Sequence, residues 1–308
     1  MPTSPLSLAA LASVAVPGLD VYDVLRSPYA DADFDVVTVV DGTGRRWTVR
    51  APRRAAAGAA QEAEMALLSA LGRAHERGAL SFSVPAPVGS AAMPDGGTAM
   101  VYEEIRGRRL SLASLEPGPG LTAHLGRSIA EIHELAPSIV DDLGLPTYTA
   151  EAYRQRRLAE LDAAAQTSKV PPKLSARWEE RLENVSWWRF EPAVVHGNMS
   201  EHQWIIADGA VAGILGWADA RVADPADDLA WLIAGAPEDV TESVIEAYAN
   251  ARREVRDPYL VDRAALAGEL ALARWLMHGV RTQNADIVTD AEDMLADLEA
   301  ALGEAGEI

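Results

Sequence analysis

The sequence predicts an α+β protein with two lobes. Its 308 residues are more than one hydrophobic core usually organises, and an apolar fraction of 49% is typical of a folded globular chain. Residues 20–105 alternate short apolar runs of strand type with one long helical stretch, whereas apolar residues beyond them recur mainly with helical spacing. We therefore expect a β-rich N-lobe over residues 1–105 and a larger, mostly helical C-lobe over residues 106–308.

The expected N-lobe contains an N-terminal helix, an antiparallel sheet and one long helix. The alanine-rich segment up to Val16 predicts a docking helix that ends at Pro17-Gly18. Strand-type runs over 36–40 and 47–50 flank a glycine-rich turn signal. Residues 55–72 predict the long helix, because their large apolar side chains recur at spacings of three on one face.

A β-hairpin is expected within the C-lobe. Short strands are predicted over 193–195, 204–206 and 211–215, with a polar loop over 196–203. Asp208-Gly209 tolerates the positive φ angles of a two-residue hairpin turn. This hairpin brings Asn198, Gln203 and Gly216 toward one edge.

Helices make up most of the remaining C-lobe. Asp224 is expected to cap a helix whose first residue is Pro225, and Asp228 lies near the positive end of that helix. His133 is expected to be a core histidine. Helical apolar spacing, separated by Pro and Gly breaks, predicts further helices over 121–135, 153–165, 174–184, 237–252 and 262–280.

Composition excludes several classes of function. The absence of cysteine excludes disulfides and thiolate metal sites, and it suits a reducing cytoplasm. A net charge of −19 argues against general nucleic-acid binding, although it would attract a cationic small molecule. No run approaches the length of a membrane span, and no basic residue precedes Arg26 to form a secretory signal. We expect a soluble, cytoplasmic protein whose oligomeric state the sequence leaves open.

The C-lobe motifs resemble the aminoglycoside and macrolide phosphotransferases, a family of kinase-like enzymes. The family pattern reads His-Gly-Asp, then Asn or His five residues after the Asp, then Ile-Asp-Trp, then Asp-Pro-x-x-Asp-Leu-Ala. The chain keeps His196-Gly197, Trp217, Asp224-Pro225 and Asp228-Leu229-Ala230. Residues 33–37, 47–54, 177–178 and 188–192 are similar to the macrolide 2'-phosphotransferase branch. The resemblance implies a two-lobed protein-kinase-like fold.

The chain departs from this pattern where phosphoryl transfer needs carboxylates. Such a site uses one carboxylate to orient the attacking hydroxyl and another to hold magnesium. Asn198, beside His196, stands at the catalytic Asp position and cannot take a proton. Gln203 offers a metal only a neutral oxygen, and Gly216 stands where the metal-binding Asp is missing.

Neighbouring residues could replace the missing ligands. Asp219 is the candidate substitute for the metal, and Glu201 and Asp208 also lie close in sequence. His202 could take the place of Gln203 if the loop slipped by one residue, but strand alternation resists that slip. If the scaffold is intact, changing Asn198 and Gly216 to Asp is expected to restore magnesium-dependent chemistry.

The resemblance also implies a nucleotide site between the lobes. Arg50 corresponds to the family's basic residue that contacts phosphate, and Glu64 corresponds to the glutamate that orients this basic residue. The guanidinium of an arginine can bind both a phosphate and a carboxylate through paired N–H donors. Tyr102, Glu103 and Ile105 correspond to the hinge where backbone groups would meet a purine. Residues 27–33 contain no glycine, so a glycine-rich phosphate loop is absent from the sequence.

These observations lead to two main hypotheses. In the first, the protein is a pseudokinase that binds GTP or ATP, or a small molecule, with weak or absent magnesium binding. In the second, it is an active NTP-dependent phosphotransferase that acts on an alcohol group of a macrolide-like molecule through a displaced metal site. A different reaction in the same cleft is a third possibility.

Overall fold

The N-terminal part of the protein is a five-stranded antiparallel sheet flanked by two helices. The computed structural model describes residues 3–27, 33–94, 96–253 and 257–308. The segment expected to cover phosphate, 27–33, therefore lies largely outside the described residues. In the sheet order β1-β2-β3-β5-β4 the strands are β1 (Val21–Arg26), β2 (Phe34–Asp41), β3 (Arg46–Pro52), β4 (Gly89–Ala92) and β5 (Thr98–Glu103).

Helix α1 (Pro5–Ala15) packs against this sheet, as the docking-helix prediction required. Its buried residues Leu8, Ala9 and Ala12 join a core that includes Val39 and Val49 of the central strands. Ser4 caps the helix by accepting a hydrogen bond from the Ser7 N–H. Burial of this apolar face explains why so short a helix is stable.

The long helix α2 (Ala55–Glu76) continues past its predicted end at Gly72. A Cβ at Gly72 would lie 2.9 Å from the Ala86 side chain, so this glycine permits close packing and does not end the helix. Leu68 and Leu71 are buried in a core that also contains Met100 and residues of the helical part. Since this core crosses the predicted lobe boundary, the division at residue 105 stays a prediction.

Two small sheets organise the start of the larger part. β6 (Arg108–Arg109), β8 (Trp204–Ala207) and β9 (Ala210–Ile214) form one, and β7 (Ala193–Val195) pairs with β10 (Arg221–Ala223) in the other. The predicted hairpin is confirmed, with Asp208 and Gly209 at φ angles of 51° and 76° in its turn.

Eight helices follow α2 in the described part of the chain. They are α3 (Leu121–His133), α4 (Ser138–Asp141), α5 (Ala150–Ala165), α6 (Pro172–Glu183), α7 (Ala230–Gly235), α8 (Glu238–Ala251), α9 (Leu260–Thr282) and α10 (Ala285–Glu304). The five predicted helices are confirmed to within three residues at each end. Helices α4 and α10 were not predicted; α10 is capped by Asn284 and buries Leu295. None of the helices described is long and apolar enough to cross a membrane.

The predicted helix at Pro225 needs correction. Asp224 does cap this segment, because its Oδ1 accepts the Ala226 N–H at 3.0 Å. The residues Pro225–Asp228 nevertheless form a tighter 3-10 turn, and α7 begins only at Ala230. The tighter turn directs the Asp228 carboxylate at the loop after β7.

Candidate functional site

The loop that follows β7 is held by one buried carboxylate. Asp228 Oδ2 accepts the His196 N–H at 2.7 Å, and its Oδ1 accepts the Gly197 N–H at 2.8 Å. His133 Nε2 lies 3.2 Å from Asp228 Oδ2, and its Nδ1 lies 2.9 Å from the Tyr248 hydroxyl. Burial alone would raise the pKa of Asp228, but the hydrogen bond and charge of His133 bring it below its usual value. This carboxylate therefore fixes the loop backbone.

His196 is a buried anchor of that loop and does not face the cleft. It is 0% exposed, its Nε2 donates to the Leu215 carbonyl at 2.8 Å, and its Nδ1 accepts the Asn198 N–H at 3.4 Å. Burial lowers the pKa of His196, so the ring is neutral at physiological pH. The side chain thus positions its neighbours, and a catalytic role for His196 stays a prediction.

The expected metal position is filled by an amide side chain. Gly216 has a φ of 82°, and a Cβ there would lie 2.5 Å from Gln203 Oε1 and 2.8 Å from Gln203 Nε2. The Gln203 carboxamide thus occupies the space that a side chain at position 216 would need. Asn198 is exposed on the neighbouring loop.

These residues do not fit a magnesium ion. Asn198 and Gln203 offer neutral oxygens, and Gly216 offers no side chain, whereas magnesium sites usually rely on at least one carboxylate. In the described ranges, no group of three or more His, Cys, Asp or Glu residues is arranged to hold a metal. The donor chemistry at this position differs from that of the family pattern.

Of the suggested substitutes, Glu201 is engaged elsewhere, whereas the side chains of His202, Asp208 and Asp219 are exposed. Glu201 Oε2 accepts the Leu112 N–H at 2.9 Å. The His202 side chain is 78% exposed, and pairing of Trp204 with Ile214 keeps Gln203 opposite the end of β9, so the one-residue slip does not occur. Asp219 is exposed, and its backbone carbonyl accepts a hydrogen bond from Arg221 Nη1 at 2.9 Å.

Arg50 and Glu64 form the expected ion pair. Arg50 Nη1 lies 2.6 Å from Glu64 Oε2, and the guanidinium lies over the Phe34 ring at 3.6 Å from its centroid. Glu64 is only 3% exposed, and its second oxygen accepts the Trp217 N–H at 3.2 Å. This glutamate therefore joins the sheet to the segment just after Gly216. The roles of Arg50 and Glu64 toward a nucleotide stay predictions.

The expected hinge lies at the end of β5. The Glu104 N–H donates to the Arg46 carbonyl on β3. In an antiparallel ladder the backbone groups of successive residues point to opposite sides of the strand, so those of Glu103 point away from β3. Burial raises the pKa of the Tyr102 hydroxyl. Ile105 packs on the hairpin at Gly213, where a Cβ would lie 2.7 Å from the isoleucine side chain.

A second buried carboxylate, Asp224, has a structural role. Its two oxygens accept hydrogen bonds from Arg263 at 2.7 and 2.9 Å, and Arg263 also donates to Asp257 and to the Trp187 carbonyl. Burial raises the pKa of Asp224, and Arg263 offsets only part of that effect. Asp224 thereby ties the segment after β10 to helix α9.

The fold and this loop arrangement define a protein of the kinase-like aminoglycoside and macrolide phosphotransferase architecture. The phosphotransferase enzyme family model matches residues 25–268, and the chain belongs to that family. The resemblance stated from the motifs is thereby confirmed.

Solved structures share the fold over nearly the whole chain. A macrolide 2'-phosphotransferase from Brachybacterium faecium matches with a TM-score of 0.79 at 22% identity, covering 93% of this chain and 96% of that one. The GDP complex of an aminoglycoside 2'-phosphotransferase-IIIa matches with a TM-score of 0.79 at 18% identity, covering 97% and 99%. Such identities establish the fold alone.

A curated relative is the uncharacterized protein YcbJ of Bacillus subtilis. It is 26% identical over 204 residues, which make up 64% of this chain and 65% of the relative. The chain thus spans just under two thirds of the length of the curated relative that it matches.

Proposed function

We propose that the protein is a pseudokinase, which binds a nucleotide or another small molecule without efficient phosphoryl transfer. The observation that carries this proposal is the Gln203 carboxamide packed against Gly216, where the family pattern has a metal-binding carboxylate. Asn198 compounds the loss, because an amide cannot accept the proton of an attacking hydroxyl. A general base typically contributes about 10²–10⁴-fold to rate, and metal ions supply several kcal/mol more.

Nucleotide binding is supported by the opposite wall of the cleft. The Arg50–Glu64 pair places a guanidinium that can hold phosphate oxygens, and the Glu103 peptide groups face away from β3. Similar structures include complexes with GDP and ADP, so a purine nucleotide is the ligand that we infer first. A divalent ion in such a site neutralises phosphate charge. The neutral amide oxygens of Asn198 and Gln203 would bind such an ion only weakly.

The proposal is tested by nucleotide titration with and without magnesium. We expect GTP or ATP to raise the melting temperature equally in magnesium and in EDTA, with no phosphate transferred to erythromycin. Arg50→Gln should weaken this binding, whereas Arg77→Gln, an exposed arginine at the end of α2, should not. Magnesium-dependent turnover of either nucleotide would contradict the proposal.

One observation favours the alternative of an active phosphotransferase with a displaced metal site. The exposed Asp219 lies on a segment packed against the loop, since a Cβ at Gly197 would lie 2.3 Å from the Asp219 carbonyl. If Asp219 binds the ion, Asp219→Asn should abolish transfer to an alcohol group of a macrolide-like acceptor. Asp208→Asn, which changes an equally exposed carboxylate in the hairpin turn, should leave that transfer unchanged.

A further inference from the structure

Three guanidinium groups gather around one buried carboxylate between helices α5 and α9 and strand β10. Arg221 Nη2 lies 2.6 Å from Asp227 Oδ2, and Arg157 Nη2 lies 3.1 Å from Asp227 Oδ1. The Asp227 side chain is 6% exposed, and the charges of both arginines hold its pKa at about 2, although burial opposes this. Arg274 of α9 completes what we call the arginine cluster: Arg157, Arg221 and Arg274 around Asp227.

Arg274 has no carboxylate of its own. Asp227 is shared by the other two arginines of the cluster, and the nearby Glu160 is shared by Arg157 at 2.7 Å and Arg156 at 2.9 Å. Arg274 Nη2 donates only to the Ala267 carbonyl at 3.3 Å, and Nη1 is buried without a hydrogen-bond partner in the part of the chain that the structure describes. Burial, followed by the charge of Arg157, lowers the pKa of Arg274.

Arg274 is half-buried, and a buried donor such as its Nη1 is unfavourable without a partner, since the lost hydration is not replaced. The chain carries 46 acidic residues against 27 basic ones, so acidic partners are plentiful in this sequence. Within the described ranges, the charges of Asp227 and Glu160 act on Arg274, but neither carboxylate accepts a hydrogen bond from its buried Nη1. The cluster therefore carries an excess of positive charge, which an external anion would offset.

The arginine cluster adjoins the loop after β7. Arg221 donates through Nη1 to the Asp219 carbonyl at 2.9 Å, and its Nη2 lies 3.4 Å from the Gly197 carbonyl. Its side chain is 18% exposed, so the cluster reaches solvent at Arg221. The Tyr153 hydroxyl hydrogen-bonds to Asp227 and Arg157, so helix α5 contributes a second side chain to these contacts.

We propose that the arginine cluster binds the anionic group of a small-molecule ligand, a carboxylate or a phosphate, beside the Gly197–Asn198 loop. Guanidinium groups hold such groups through paired N–H donors, and a buried setting strengthens each bond. The ligand that fits here is an anion, in contrast to the amine-bearing molecules that the acidic surface alone would favour. This site does not depend on nucleotide binding at Arg50 and Glu64.

The test is titration of the intact protein with inorganic phosphate and, separately, with acetate, at an ionic strength held constant with sodium chloride. Affinity is measured by calorimetry and by the shift in melting temperature. Arg274→Gln removes the unpaired cation, and Arg281→Gln, an exposed arginine on the same helix, is the matched control. The phosphate and acetate arms distinguish a phosphoester ligand from a carboxylate ligand.

We expect a saturable rise in melting temperature with at least one anion in the native protein and in Arg281→Gln. In Arg274→Gln the affinity should fall at least about tenfold, in line with the loss of one charge-assisted contact. Without either anion, Arg274→Gln should melt no lower than the native protein, because the substitution removes an uncompensated charge. Equal anion effects in both variants, or a lower melting temperature of Arg274→Gln without anion, would overturn the proposal.

Discussion

Replacement of Gly216 by Asp should destabilise the protein, and shortening Gln203 at the same time should remove part of that loss. The new Cβ would lie 2.5 Å from Gln203 Oε1 and 2.7 Å from Gln203 Cδ, both closer than real contacts allow. These atoms are the mobile end of a half-buried side chain, so their displacement should cost about 1 kcal/mol, the lower end of the range for overpacking. A φ of 82° adds about 1 kcal/mol for a residue with a side chain, so Gly216→Asp should lose about 2 kcal/mol of unfolding free energy.

A double-mutant cycle with Gln203→Ala separates the two contributions. Removal of the carboxamide should recover about 1 kcal/mol in the Gly216→Asp background, which lies within the range for directly contacting residues. Gly209→Asp is the matched control, because Gly209 has a φ of 76° but a Cβ there would meet nothing within 4 Å. It should lose only about 1 kcal/mol.

The assay is urea unfolding followed by tryptophan fluorescence, for which the chain supplies eight tryptophans. Additive effects of Gly216→Asp and Gln203→Ala, within about 0.5 kcal/mol, would refute the steric argument. Because Gln203 occupies the space beside position 216, magnesium binding by the Asn198→Asp, Gly216→Asp variant should become tighter when Gln203→Ala is added.

Three further predictions concern the groups that hold the site. Glu64→Ala should lower the unfolding free energy by about 2–3 kcal/mol, because it leaves a half-buried arginine and a backbone N–H without their acceptor, whereas the exposed Glu76→Ala should change it by less than about 0.5 kcal/mol; urea denaturation measures both. Asp228→Ala should cost about 3–5 kcal/mol and speed amide exchange at His196, because that N–H loses its acceptor. Burial lowers the pKa of His196 from 6.5, so the unfolded chain binds the proton more readily than the folded protein, and stability should fall as the pH decreases below about 6.5. A profile of unfolding free energy from pH 8 to pH 5 should show this step in His202→Gln, whose ring is 78% exposed, and lack it in His196→Gln.

Local patterns predicted the elements of the fold well. The β8–β9 hairpin follows from Asp208-Gly209, whose positive φ angles only a few residue types accept. The start of α2 and the five C-lobe helices follow from apolar periodicity and Pro or Gly breaks. The predicted end of the long helix at Gly72 was wrong. This glycine permits close packing against Ala86, a contact that apolar periodicity does not describe.

Long-range contacts decided the site. His133 was expected only to be buried, yet it bonds to Asp228, 95 residues away. The arginine cluster could not be recognised in advance, because Arg157 and Asp227 are separated by 70 residues and the Arg274 side chain has no sequence motif. No local signal distinguishes such buried arginines from surface ones.

The amino-acid sequence by itself determined the family and the loss of the family's acidic residues at positions 198 and 216, because motif identity and spacing are written along the chain. The tertiary structure alone decided that Gln203 fills the space at Gly216, that His196 is buried, and that Arg274 lies unpaired among the described residues. These outcomes depend on distances between side chains that meet only after the chain has folded, and on the water that folding removes from around them.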